Sequence, residues 1–216
     1  MTRRAEAANS IRKSGVVAVV RTRESDRVTA IAEALLEGGL SAIEITTSVP
    51  GAVDLVRTLS GALGNRVLLG AGTVLDVDTA KRFIDAGARF VISPIFRGEL
   101  LQLCHDNDVA VAPGCFTPTE IFEAWEFGAD FVNVFPATSL GPAYFRELRG
   151  PLPHLPILPT GGVTLDNVAD WITAGAVAVG VGAALLDTRA IAGGHYDVLT
   201  ARASAFLSAV KQARAS

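Results

Sequence analysis

The sequence predicts an α/β fold, a single (β/α)8 barrel of the TIM type. Three observations carry that prediction. Short β-branched runs alternate with helical stretches from one end of the 216-residue chain to the other. There are eight such runs, at 16–20, 42–46, 67–69, 90–93, 109–112, 131–135, 157–160 and 177–181. A short phrase recurs between helix and strand: Gly38-Gly39-Leu40, Ala86-Gly87-Ala88, Phe127-Gly128-Ala129 and Ala174-Gly175-Ala176. Strict alternation implies parallel strands joined by right-handed crossovers, and eight of them point to closure. The recurring glycine suits a left-handed helix end, and its spacing marks an internal repeat about two β/α units long. A doubly wound open sheet is the alternative, but no GxGxxG follows the first strand.

Amphipathic stretches fill the intervals at 26–37, 52–63, 79–86, 99–106, 119–127 and 166–174. Residues 1–14 read as an N-terminal helix and 195–214 as a closing one, within one domain spanning 1–216. Half the residues are apolar, which suits one sizeable core. The net charge of −3 argues against nucleic acid or an anionic membrane as partner. The polar start, MTRRAEAANSIRKSG, lacks the apolar centre of a signal peptide, and no apolar run approaches the ~18 residues of a membrane span. Cys104 and Cys115 have no metal-type spacing and read as small buried hydrophobes in a reducing, cytoplasmic compartment.

Side chains alternate faces along a strand. Ile43 and Ile45 suit the helix-packed outside, so Ala42, Glu44 and Thr46 turn inward. Val16, Ala18 and Val20 are outward, which turns Arg21 inward; Phe131, Asn133 and Phe135 share an inward face. The same rule puts Thr73, Ser93 and Thr160 inside near strand ends. Arg21, Glu44, Thr73, Asn133 and Thr160 thus gather at one mouth, the C-terminal end where barrel enzymes do their chemistry. An inward threonine is ordinarily core filler. A buried glutamate is costly, and Glu44 is either salt-bridged to Arg21 or a proton-transfer group with a raised pKa. Thr160-Gly161-Gly162-Val163 and Gly180-Val181-Gly182-Ala183 follow the last two strands, the second expected to open a helix; backbone N–H groups there suit a phosphate. His105, His154 and His195 match no metal-ligand motif.

Several segments together resemble one family: VVAVVR from Val16, IEITTSVP from Ile43, GAGTV from Gly70, ISP from Ile92, APGCFTPTE from Ala112, VFPA from Val134, PTGGV from Pro159 and VGVG from Val179. The chain resembles, over nearly its whole length, the aldolases that cleave 2-keto-3-deoxy-6-phosphogluconate and 4-hydroxy-2-oxoglutarate. The resemblance implies a homotrimer of small barrels and class I chemistry, in which a lysine forms a Schiff base with a 2-keto acid and no cofactor or metal is needed. It implies that Glu44 moves protons and that Arg21 holds the substrate carboxylate. Thr73, Pro94, Phe135 and Thr160 then line the substrate pocket. Gly161, Gly162, Gly182 and Ala183 hold the phosphate, with alanine at 183 where many members have serine.

The resemblance breaks at one position. The family's lysine, one residue, then Phe-Pro reads here Asn133-Val134-Phe135-Pro136. An amide nitrogen, its lone pair delocalised into the carbonyl, forms no iminium. Only Lys13, Lys81 and Lys211 remain, none expected at the mouth. Three readings stay open: an aldolase-family lyase impaired at Asn133; a lysine-independent keto-acid isomerase, epimerase or tautomerase using Glu44; and a non-catalytic keto-acid-binding or scaffold trimer. In the second, a metal could replace the iminium as electron sink.

Overall fold

The computed structural model describes residues 1–215. Helix α1 (Arg3–Ser14) starts at Thr2, whose side chain accepts the Ala5 N–H, and stops at left-handed Gly15. Then follow β1 (Val16–Val20), α2 (Val28–Glu37), β2 (Ala42–Thr46), α3 (Ala52–Leu63), β3 (Leu68–Gly72), α4 (Val77–Asp85), β4 (Phe90–Ile92) and α5 (Gly98–Asp106). The second half holds β5 (Ala110–Ala112), β6 (Gly114–Cys115), α6 (Pro118–Glu126), β7 (Val132–Val134), α7 (Gly141–Arg149), β8 (Ile157–Pro159), α8 (Val168–Thr173), β9 (Val179–Val181), α9 (Thr188–Gly193) and α10 (Asp197–Ala215).

Every strand pair is parallel. The ladders form a curled six-stranded sheet, β5-β4-β3-β2-β1-β9, and a three-stranded one, β6-β7-β8, in place of one continuous set of eight. Backbone bonds reach between the sheets on both sides. Phe131 N donates to Val111 O and Asn133 N to Pro113 O; Val177 N donates to Ile157 O, and Thr160 bridges Gly180. The ninth strand is β6, just beyond the fifth strand expected at 109–112; Pro113, which has no N–H, separates it from β5. Gly39, Gly87, Gly128 and Gly175, the recurring glycines, all have positive φ. The expected helix at 26–37 begins with a 3-10 turn before α2, and the closing helix runs Asp197–Ala215. α7 was not foreseen: it has no side-chain N-cap and opens on Gly141-Pro142; α9, six residues long, starts later than the helix expected at Gly182.

The apolar residues separate into two layers, as alternation requires. Val16, Ala18, Val20, Ile43, Ile45, Val132, Val134, Val179 and Val181 pack with the surrounding helices. Val17, Ala42, Phe90, Ile92, Phe131, Leu158 and Ala178 form a separate inner cluster, which Ala7, Ala8 and Ile11 of α1 complete. α1 therefore plugs the strands' N-terminal end. Arg4 clasps Asp130 with Nε at 3.0 and 2.9 Å from the two carboxylate oxygens, and donates to Gly128 O at 2.6 Å. Asp130 also accepts the Val111 N–H, and Arg12 lies 4.7 Å over the Phe131 ring.

Asp130 thus ties α1, β5 and the entry to β7 together. Asp130→Ala strands a partly buried N–H and a partly buried guanidinium and should cost roughly 2–3 kcal/mol of unfolding free energy. Asp130→Asn, which keeps an acceptor for Val111, should cost less. Urea melts of the two variants check the order; equal losses would mean that the Val111 bond contributes nothing.

Candidate functional site

The mouth at the strands' C-terminal ends is polar where the inner cluster below it is apolar. Glu44, Thr46, Ser93 and Asn133 are the buried polar or charged residues among those described. Glu44 stands mid-strand on β2, in register with Val19 on one side and Gly70 on the other. It is 3% exposed, and its Oε2 has no hydrogen-bond partner. Burial pushes its carboxyl up to about 8, and the Arg21 charge opposes the shift more weakly.

The room for Glu44 comes from Gly72. A Cβ built there would lie 1.7 Å from Glu44 Oε1, so no larger residue fits beside an unmoved carboxyl. Sequence reasoning missed Gly72, although glycine inside a strand is the signal of such close approach. Gly180 makes the same kind of space for Thr160, where an added Cβ would lie 2.4 Å from Oγ1. Gly114 lets β6 approach the carbonyl of Pro94.

Arg21 reaches the mouth, but it does not pair with Glu44. Its Nη2 donates to Thr73 Oγ1 at 3.1 Å, and no ion pair joins the two charged groups. Of the two readings of Glu44, the salt bridge to Arg21 is not formed, and Oε2 makes no direct hydrogen bond to Arg21 or Asn133. Thr73 breaks the strand alternation with φ 59°, which is strained for a β-branched residue. The Thr47 hydroxyl, 3.0 Å from Thr73 O, and Thr47 N, bonded to Gly72 O, hold that turn. Thr47 is a second residue that alternation alone could not single out.

Asn133 is 2% exposed on β7, and its Nδ2 donates to Ser93 O at 3.0 Å. Its Oδ1 has no partner, nor does the buried Thr160 Oγ1. Ser93 was expected to turn its side chain inward. The inward residues of β4 are Phe90 and Ile92, and the Ser93 hydroxyl accepts Ile95 N instead, so its carbonyl alone meets the site. Phe135 is 37% exposed, and Pro94 flanks the exit of β4.

At the glycine turns, Gly161 and Gly162 have φ 101° and 74° and face Thr138. Asn167 pins the turn by donating to Gly162 O and accepting from Thr164 N. The second turn differs from expectation. No helix opens at Gly182; Leu185 and Leu186 N–H groups close one turn onto Gly182 O, and α9 starts only at Thr188. Gly180 lies inside β9, and Asp187 supplies the N-cap that starts the helix.

The lysines lie elsewhere. Lys81 pairs with Asp85 along α4. Lys13 and Lys211 line a cavity of about 540 Å³ between α1 and α10. His154 sits edge-on to Trp125, His105 lies against Gly128, and His195 follows α9. Cys104 and Cys115 are buried free thiols, pushed up to about 12 by that burial. Among the described residues no helix is long and apolar enough to cross a membrane.

The sequence model of the KDPG and KHG aldolases matches residues 7–202. The chain belongs to the KDPG and KHG aldolase family. It is 31% identical to the 2-dehydro-3-deoxy-6-phosphogalactonate aldolase of Escherichia coli K12 over 202 residues, covering 93% of this chain and 97% of that one. It is 40% identical to the 2-dehydro-3-deoxy-phosphogluconate aldolase of Pseudomonas aeruginosa over 151 residues, 69% of this aldolase-family chain and 68% of that one. Among solved structures, a native KDPGal structure superposes with TM-score 0.86 at 30% identity, covering 93% and 96% of the two chains. The KDPG aldolase of Legionella pneumophila, with pyruvate captured as a covalent carbinolamine, gives TM-score 0.85 at 27% identity, covering 93% and 97%.

Proposed function

We propose that this aldolase-family chain takes a 2-keto-3-deoxy or 4-hydroxy-2-keto acid, phosphorylated or not, at the C-terminal mouth. We propose further that cleavage to pyruvate plus an aldehyde, glyoxylate where the substrate is 4-hydroxy-2-oxoglutarate, runs there at no more than a trace. The observation that carries this reading is the retained buried acid, Glu44, with an unpartnered carboxyl oxygen, in a pocket whose lysine position holds Asn133. Arg21, set by Thr73, receives the substrate carboxylate. Pro94, Phe135 and Thr160 wall the carbon chain, and the backbone of Gly161, Gly162, Gly182 and Ala183 receives the phosphate. Glu44, holding its proton up to about pH 8, is suited to exchange it with substrate near neutrality. Retro-aldol cleavage must store the electron pair of the broken carbon–carbon bond. A protonated imine accepts it readily; Asn133 forms none, so the pair falls on the keto oxygen with no cation bonded to the reacting carbon.

The bonds between the two sheets support a closed eight-membered barrel in one domain, with β5 and β6 acting as one bent strand. A homotrimer is part of the reading. Its support is a 30% identical neighbour in a protein cage built by fusing symmetric oligomeric domains, together with the exposed apolar side chains of Ile95, Trp125 and Phe127. The two buried free thiols fit a reducing, cytoplasmic setting.

Pyruvate titrated against isotope-labelled protein should shift the amides of Arg21, Thr73 and Thr160, and inorganic phosphate those of Gly161 and Gly162. No shifts at millimolar ligand, or shifts elsewhere only, would overturn the pocket. The unpartnered Glu44 oxygen also favours a second reading, lysine-independent proton transfer beside a keto group. Exchange of pyruvate methyl protons into heavy water, lost in Glu44→Gln, distinguishes it from a purely binding role.

A further inference from the structure

The orientation of Asn133 is fixed by its neighbour. The Ser93 carbonyl can only accept, so the amide must turn Nδ2 toward it, and the 3.0 Å bond is the result. Oδ1 then faces away, buried, with no partner. β7 and β8 run in register with Asn133 opposite Leu158 and Val134 opposite Pro159. Thr160, two residues beyond Leu158, therefore stands diagonally from Asn133 on the neighbouring strand, and its Oγ1 is also unpartnered. Six buried side-chain polar atoms among the described residues have no partner, and three of them, Asn133 Oδ1, Thr160 Oγ1 and Glu44 Oε2, belong to residues of this mouth. Such atoms call for a partner, and a bound ligand can supply one.

Their chemistry selects the ligand. Asn133 Oδ1 accepts and cannot donate; the Thr160 hydroxyl does either. A keto oxygen, with lone pairs only, satisfies Thr160 but sets oxygen against oxygen at Asn133. A hydroxyl donates to Asn133 Oδ1 and accepts from Thr160, leaving neither of those two unpaired. We propose that this mouth binds short 2-hydroxy acids in preference to 2-keto acids, with Asn133 Oδ1 accepting the 2-hydroxyl proton and Thr160 donating to its oxygen. The inference rests on the reading above that Arg21 receives the carboxylate.

Calorimetric titration of the intact chain with D-lactate, L-lactate and pyruvate tests it. One lactate enantiomer should bind about tenfold or more tighter than pyruvate, the usual worth of one mismatched buried hydrogen bond. Asn133→Leu should abolish that preference and Thr160→Val should reduce it, while Arg21→Ala should weaken all three acids alike. Pyruvate binding as tightly as both lactates, or better, overturns the inference and leaves the keto-acid pocket standing. A preference unchanged in a folded Asn133→Leu also overturns it, and should that variant fail to fold, the ratio in the unaltered chain decides. Binding of none of the three acids overturns the inference and the pocket together.

Discussion

Asn133→Lys should raise retro-aldol cleavage of a 2-keto-3-deoxy acid by at least about a thousandfold, read as pyruvate release. Each tenfold in rate corresponds to about 1.4 kcal/mol of barrier, so the change asks a single side chain for about 4 kcal/mol. A covalent iminium can supply that, because it places a cation where the electron pair of the broken bond goes. The other side chains of the proposed pocket are in place. Glu44 is buried with a free carboxyl oxygen, Thr160 has a free hydroxyl, and Arg21 is held by Thr73. Ser93 O, which now accepts from Asn133, would accept from the new ammonium. Burial at this position also favours the neutral amine that attacks the keto carbon. A folded Asn133→Lys that remains silent would mean that more than one residue has been lost, and the proton-transfer and binding readings would gain.

Glu44→Gln should stabilise the fold above pH 8 and change it little near pH 4. The carboxyl's ordinary value of 4.5 is raised to about 8 in the fold, chiefly by burial. The folded chain therefore holds a proton that the unfolded chain releases across that interval, and stability falls as pH rises through it. Below 4.5 both states are protonated and no penalty exists; above about 8 both are ionised and the penalty is complete. A shift of that size corresponds to roughly 5 kcal/mol as an upper bound. Glutamine keeps the shape and removes the charge. Thermal melts from pH 4 to 9 should show the variant's advantage growing through that window. An advantage independent of pH would mean that Glu44 is not desolvated in solution.

Much of this site could be read from alternation and apolar pattern. Glu44 between Ile43 and Ile45, and Asn133 between Val132 and Val134, could face only inward once their neighbours went to the helix layer. The same rule failed where the chain leaves regular strand geometry. Ser93 lies past the inward Ile92 and contributes a carbonyl, while Thr73 takes a left-handed φ that no period-2 argument contains. The two-residue β6 beyond Pro113 was too short for a hydrophobic pattern to show. Helix α1's position was invisible because its plug role depends on three-dimensional closure around Phe90, Phe131 and Leu158, residues far from it in sequence. Resemblance added the chemistry attached to position 133, and the structure added which atom of Asn133 is free.

If this chain keeps a keto-acid pocket without the covalent step, borohydride reduction of the unaltered chain in pyruvate, followed by peptide mass mapping, should leave no reduced pyruvate adduct on any peptide. A stoichiometric adduct on Lys13, Lys81 or Lys211, accompanied by pyruvate release from a 2-keto-3-deoxy acid, would contradict that reading.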